Sequence, residues 1–242
     1  MTPKLSIIIP TLNEEKIIGQ TIERLQAGLS ISHELIVSDD ISDDKSVEVA
    51  KKYADKVVVM SGQSKVNAGE VRNRGAKVAS GEFLVFIDCG CFVIEPETFF
   101  KQALENFSNK KIIGLSGNVE VQPEIRTVLD RVISAIINTG YRLLNNVFHY
   151  GSAWGKFIMV RKESFEAIHG FREDIAAGED INFFYRLSKI GKTHFDNRLI
   201  IFHPNRRAHQ IGWVRLLFIW TRNTLYLIFF GKSYSKEWKP IR

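Results

Sequence analysis

The stretch LVFIDCGCFVIEPE, Leu84 to Glu97, decides how this chain is read. Leu84–Ile87 is a short, unbroken apolar run, the pattern of a strand buried on both faces, and it stops on the carboxylate of Asp88. Cys89-Gly90-Cys91 follows, and Pro96 then opens a helix that reaches about Phe107. A core strand, an acidic tip and a helix make one β-α unit.

The same unit recurs on the N-terminal side. Leu5-Ser-Ile-Ile-Ile-Pro10 reads as a strand, followed by the loop Thr11-Leu-Asn13 and a helix over Glu14 to about Gly28. His33–Ser38 is the next strand, and it breaks into the acidic turn Asp39-Asp40-Ile-Ser-Asp43-Asp44. A helix to about Tyr53, a strand over Lys56–Met60 and a helix over Asn67–Ser80, stopped by Gly81, complete the half. Alternation of this kind predicts an α/β domain with a mostly parallel sheet, and such sheets bind ligands beyond the carboxyl ends of their strands. The segments expected there are Pro10–Glu14, Asp39–Asp44 and Asp88–Cys91. A G-x-G-x-x-G loop does not follow the first strand, which argues against a dinucleotide site.

The second half is less regular. Ile112–Val121 reads as a strand, Ile125–Leu144 as a helix, Tyr150–Gly155 as a flexible glycine-rich loop and Phe157–Val160 as a strand. Glu179-Asp180 opens a helix that Gly191 stops.

The bulk properties agree with one sizeable domain: 242 residues, 45% hydrophobic and 25% charged. Cys89 and Cys91, two residues apart, are the full cysteine complement; a bridge between them would be strained, and two thiols do not complete a zinc site. They are expected as small buried thiols in a reducing compartment. The apolar run of Met1–Pro10 is too short for a signal peptide or membrane anchor.

Net charge is +6, with Arg206, Arg207, Arg215, Arg222, Lys232, Lys236, Lys239 and Arg242 opposed after residue 205 by Glu237 alone. Phosphate in some form is the expected partner of such a patch. Trp213–Phe230, WVRLLFIWTRNTLYLIFF, would be about 27 Å long as a helix. Arg215, Arg222 and Asn223 inside it argue against a span and for an interfacial helix, with Trp213 and Trp220 sharing much of the arginine side and Lys232–Arg242 facing anionic lipid. The alternative is a helix that covers the domain's own core. Arginines spread through apolar residues, beside an acidic crevice, argue against a nucleic-acid partner, and none is expected.

Taken together in order and spacing, the segments Pro10-Thr-Leu-Asn-Glu14, Asp39–Asp44, Arg72-Asn-Arg-Gly75, Phe86-Ile-Asp88, Arg161–Phe165 with Gly170-Phe171, Gly178-Glu-Asp180 with Arg186-Leu187, and His203–Arg207 resemble the family-2-type inverting glycosyltransferases of the GT-A fold. The resemblance runs from about Lys4 to His209. It implies a single Rossmann-like GT-A domain over 1–210, with a nucleotide-binding half (1–110) and an acceptor-side half (111–210), followed by the apolar, basic segment 211–242. It implies transfer of a sugar from a UDP- or GDP-sugar to an acceptor hydroxyl. A membrane-proximal C-terminus would suit a lipid-linked or glycan acceptor at the inner, cytoplasmic membrane face.

Residue by residue, the resemblance makes Asp180 the catalytic base. It places the donor against Pro10, Thr11, Asn13, Glu14, Asp40 (or Asp39) at the base, Arg72 at the diphosphate, Asp88, Arg206 and Arg207. Tyr150, Gly151, Trp154 and Glu179 fall on the acceptor side. In the family Asp88 begins an Asp-x-Asp motif whose second acid holds magnesium or manganese, and here that acid is Gly90. Three readings stay open: a divalent cation held by Asp88 and His203, arginines (Arg72, Arg206, Arg207) in its place, or a non-catalytic nucleotide-sugar binder.

Overall fold

The computed structural model describes residues 2–61 and 67–237. Among them, seven strands form one sheet in the order β3-β2-β1-β4-β6-β5-β7. The strands are β1 (Leu5–Thr11), β2 (His33–Asp39), β3 (Lys56–Val59), β4 (Phe83–Ile87), β5 (Ile112–Val121), β6 (Phe157–Arg161) and β7 (Lys192–His203). All neighbours pair in parallel except β6, which runs antiparallel to both β4 and β5.

The apolar runs are continuous because both faces of the sheet are covered. Leu5, Ile7 and Ile9 of β1 enter one core with Val85 and Ile87 of β4, while Ile8, Leu84 and Phe86 enter the other. The first face is covered by α1 (Ile18–Gln26), α4 (Pro96–Asn106) and α5 (Val128–Asn146); the second by α3 (Ala68–Lys77), α6 (Lys162–Ala167) and α7 (Glu179–Leu187). A further helix, α2 (Ser46–Tyr53), packs beside α1. The chain continues into α8 (Arg206–Ile211) and α9 (Trp213–Phe230).

Several details differ from the sequence reading. The first helix begins at Ile18, not Glu14; the Glu14 N–H instead donates to Ser46 Oγ at 2.6 Å, and its side chain points to Arg206. Strand β7 has no clear pattern in the sequence because it lies at the sheet edge and its register against β5 shifts between Gly117 and Asn118. The segment 150–155 is not a flexible loop: Gly151, Ser152, Ala153 and Trp154 are buried, and a Cβ at Gly151 would lie 1.9 Å from the Phe184 carbonyl oxygen.

Helix α9 has two faces. Trp213 and Leu216 are buried, and Trp220 packs edge-on to both Trp213 and Trp154. The tryptophans therefore point into the domain, whereas Arg215 is exposed and Arg222 is half-buried against Phe218 and Tyr234. The opposite face leaves Val214 86%, Phe218 65% and Phe229 74% exposed. Among the described residues no helix is long and apolar enough to cross a membrane. Lys239 and Arg242 lie outside the described residues.

Candidate active site

A cleft of about 600 Å³ opens at the carboxyl ends of the parallel strands. Topology explains what gathers there. Thr11 ends β1, Asp40 follows β2, Asp88 follows β4 and His203 ends β7. Because β6 is reversed, its beginning rather than its end reaches this edge. Phe157 pairs with Ile87, so Gly155 and Lys156, just before β6, arrive beside Asp88. The C-terminal helix closes the far side with Leu216, Leu217, Trp220 and Thr224.

Asp88 is gripped on both oxygens. Arg72 Nη2 donates to Oδ1 at 2.9 Å and Lys156 Nζ to Oδ2 at 2.8 Å. Burial works against the charged form, but Lys156 and Arg72 outweigh it and hold the carboxyl at about 2. Arg72, 3% exposed in its side chain, also donates to Glu179 Oε1 at 2.7 Å and to the Gly155 carbonyl at 3.2 Å. Both of its terminal nitrogens thus face protein acceptors instead of opening a pair of donors toward a diphosphate.

Asp180 stands in the first turn of α7, after Gly178 in the left-handed region (φ 87°). Its Oδ2 accepts from Gly155 N–H at 2.7 Å and its Oδ1 from Ile181 N–H at 2.8 Å. Burial, and then the Glu179 carboxylate, push the Asp180 carboxyl up to about 7 against the opposing pull of Arg72 and the two N–H groups. A carboxylate titrating near neutrality suits proton abstraction at physiological pH. Gly155 is the hinge of this arrangement, since a Cβ there would lie 2.9 Å from Asp180 Oδ2 and 3.0 Å from Arg72 Nη2. Gly155→Ala is expected to displace one or both and lower turnover at least tenfold, measurable as nucleoside-diphosphate release with thermal unfolding as the control for folding.

The remaining sequence-predicted residues divide by position. Pro10, Thr11, Glu14, Asp40, Trp154, Glu179, Arg206 and Arg207 line the cleft. Glu14 and Arg206 meet in a bidentate pair, Nη1 to Oε2 at 2.9 Å and Nη2 to Oε1 at 2.6 Å. Of the two aspartates after β2, Asp40 faces the cleft; Asp39 is fully buried and accepts from the Ser42 N–H (2.8 Å) and hydroxyl (2.5 Å). Asn13 braces the same turn, its Oδ1 accepting from Asp43 N–H at 2.8 Å. Tyr150 rests on Tyr185 and Gly151 on Phe184, outside the cleft lining.

Sequence reasoning passed over Lys156, Tyr141 and Asp130, and took Gly155 only as the end of the loop 150–155. Lys156, Gly155 and Tyr141 line the cleft. Asp130 supports it from behind, accepting from Thr127 N–H and hydroxyl, Asn205 Nδ2, His209 Nε2 and Trp213 Nε1 at 2.7–2.9 Å. A Gly-Lys pair directly before an apolar run was the one available signal for Lys156.

The residues available do not fit a divalent cation as they stand. Both Asp88 oxygens are occupied by protein cations, and Gly90 supplies no carboxylate. Burial pushes the Cys89 and Cys91 thiols up, Cys91 to about 12, so neither is a thiolate. His203 is buried, and its Nδ1 already accepts from the Asn205 N–H at 3.2 Å. Among the described residues, no group of three or more His, Cys, Asp or Glu side chains could hold a metal ion.

A seven-stranded sheet of this order, with the cleft beyond its carboxyl ends, places the chain in the GT-A class of glycosyltransferase folds. The mannosyltransferase PcManGT from Pyrobaculum calidifontis, solved with GDP-Man and Mn2+, superposes with a TM-score of 0.68 at 16% identity, over 87% of this chain and 60% of that one. Staphylococcus aureus TarS 1-349 with UDP-GlcNAc superposes at 0.59 and 22% identity, over 84% of this chain and 56% of that one. Residues 6–168 match the model of glycosyl transferase family 2, and the chain belongs to that family. An uncharacterized glycosyltransferase of Haemophilus influenzae is 30% identical over 185 residues, 76% of this chain and 61% of its own length. The poly(ribitol-phosphate) beta-N-acetylglucosaminyltransferase TarS of S. aureus is 30% identical over 154 residues, 56% of this chain. The chain thus spans under two thirds of the first relative and 27% of the second.

Proposed function

We propose that this chain is an inverting, hexosyl-type glycosyltransferase that moves a sugar from a UDP- or GDP-sugar to an acceptor hydroxyl. One observation carries the reading: Asp180, its carboxyl raised to about 7, shares a cleft with Asp88 and Asp40 and is tied to the donor side through Gly155 and Arg72. In the reaction the acceptor oxygen bonds to the anomeric carbon while its proton passes to Asp180. The bond from that carbon to the diphosphate breaks on the opposite face, and the nucleoside diphosphate leaves with the electron pair. Attack and departure on opposite faces invert the centre.

The donor would lie along Pro10–Glu14, Asp40 and Asp88, with Arg207 at the phosphates and Arg206 holding Glu14 beside them. Trp154, Tyr141 and Trp220 offer aromatic surface in the same cleft, which suits an acceptor sugar. A lipid-linked or glycan acceptor, met at the cytoplasmic face of a membrane, agrees with the outer face of α9, where exposed Val214, Phe218 and Phe229 stand near Arg215, Arg222 and Lys232.

The pH dependence tests the role of Asp180. A base must be ionised to act, so turnover is expected to rise as pH passes upward through about 7 and to level off above it. Nucleoside-diphosphate release measured from pH 5.5 to 8.5 would show this, and a flat profile would count against Asp180 as the base. Gly90, with both Asp88 oxygens already engaged, favours one other reading, a nucleotide-sugar binder without turnover. Donor binding with no transfer or hydrolysis under any metal would select it.

A further inference from the structure

We propose that Lys156 takes the charge-neutralising role at the donor diphosphate that the family resemblance assigns to a divalent cation, so that this chain binds a nucleoside diphosphate without metal. The inference rests on the donor-site reading given above and concerns how that site is charged.

Lys156 is placed by the backbone on both sides. The residue before it, Gly155, donates to Asp180 and accepts from Arg72; the residue after it, Phe157, opens β6 opposite Ile87. The ammonium is thereby delivered to Asp88 Oδ2 at 2.8 Å. Its side chain keeps 35% of its surface exposed in the cleft. An ammonium has three N–H donors, and among the described residues Asp88 is the acceptor for one of them. The other two are available to phosphate oxygens.

His203 argues in the same direction. Asn205 N–H donates to its Nδ1 at 3.2 Å, so Nδ1 carries a lone pair and the ring proton resides on Nε2. That Nε2 is buried without a partner in a side chain 4% exposed, and it borders the cleft. In this tautomer Nε2 is an N–H donor without a partner among the described residues, not a lone pair for a metal. Gly90, where the family has its second acid, is held at φ 84° with its N–H donating to Thr21 Oγ1 at 3.0 Å. An aspartate there would adopt a strained backbone. Lys156, His203, Arg206 and Arg207 line the same cleft as Asp88.

Calorimetric binding of UDP, UMP, GDP and GMP to the full chain tests this, each in EDTA and in Mn2+, with wild type, Lys156→Met and Lys156→Arg. The wild type is expected to bind one of the diphosphates equally in EDTA and in Mn2+, and more tightly than its monophosphate. Lys156→Met should weaken diphosphate binding at least tenfold, erase the preference over the monophosphate, and keep a thermal midpoint near wild type. Lys156→Arg should recover part of the loss. Binding that EDTA abolishes and Mn2+ restores in the wild type would overturn the role of Lys156 while leaving the donor site standing. Unchanged diphosphate affinity in a folded Lys156→Met would do the same. Silence of both nucleotides in every condition would remove the donor-site reading, and this inference with it.

Discussion

Asp180→Asn is expected to lower turnover by about a thousandfold, within the range general bases contribute, while nucleotide affinity stays within about threefold of wild type. The asymmetry follows from where Asp180 sits. Its hydrogen-bond partners are the backbone N–H groups of Gly155 and Ile181, so it reaches the donor side only indirectly, through the loop that carries Lys156. Asparagine keeps the size of the side chain and one acceptor oxygen, so the loop and helix stay joined. It cannot take a proton. The pH dependence of any residual turnover should also lose the rise through about 7 that Asp180 imposes on the wild type. Paired measurements of nucleotide binding and product release decide the matter: equal losses in both would make Asp180 a structural residue, and loss of turnover alone would make it the base.

Asp130→Ala is expected to be the most destabilising single change outside the sheet. The carboxylate is fully buried and receives hydrogen bonds from Thr127, Asn205, His209 and Trp213, joining the start of α5 to α8, α9 and the turn after β7. Removing it leaves the buried indole N–H of Trp213 and the Asn205 amide without acceptors, each a cost of about 1–3 kcal/mol. A total of about 4 kcal/mol corresponds to a thermal midpoint lower by roughly 10 °C for a chain of this size. Asp130→Asn should lose about half as much, because one acceptor oxygen survives.

The pH sign is also fixed for Asp130. Burial opposes its ionisation, but the hydrogen bonds from Thr127, His209 and Trp213 prevail and hold the carboxyl well below the ordinary range. Its stabilisation is therefore fully present above the unfolded value of about 4 and is lost as pH falls through the depressed folded value. Thermal scans at pH 7 and at successively lower pH should show the gap between wild type and Asp130→Asn close only in acid. A gap that is constant down to pH 2 would contradict this account.

How much of this could be read in the sequence depends on the range of the interactions. Strands β1, β2 and β4 announce themselves because burial on both faces makes them continuously apolar, and their acidic tips follow as a matter of position. Asp40 and Asp88 were legible for that reason, and Asp180 through its place in the Gly178-Glu-Asp180 motif. Lys156 was not, because nothing local marks it; it reaches Asp88 through the reversal of β6, a pairing between residues about seventy apart. Asp130 has the look of an ordinary first-turn helix acid, and its partners at 205, 209 and 213 lie some eighty residues away. The segment 150–155 has the composition of a loop, but the contact of Gly151 with the Phe184 carbonyl, which no local pattern reveals, makes it part of the interior. Strand β7 fails for a different reason: a register shift and an open edge break the alternation that identifies strands.

Helix α9 makes location and recognition inseparable at the level of the element but separable at the level of the residue. Its inner side chains, Leu216, Leu217 and Trp220, form a wall of the cleft, whereas Val214, Phe218 and Phe229 look away from it. A chain cut before Trp213 would lose its outward apolar face and its cleft wall in one stroke, and a defect in either would look like a defect in both. Polar replacements at Phe218 and Phe229 touch the outer side alone. The helix is in this sense a partition with a street side and a room side, and natural variation can redecorate the street without moving the furniture.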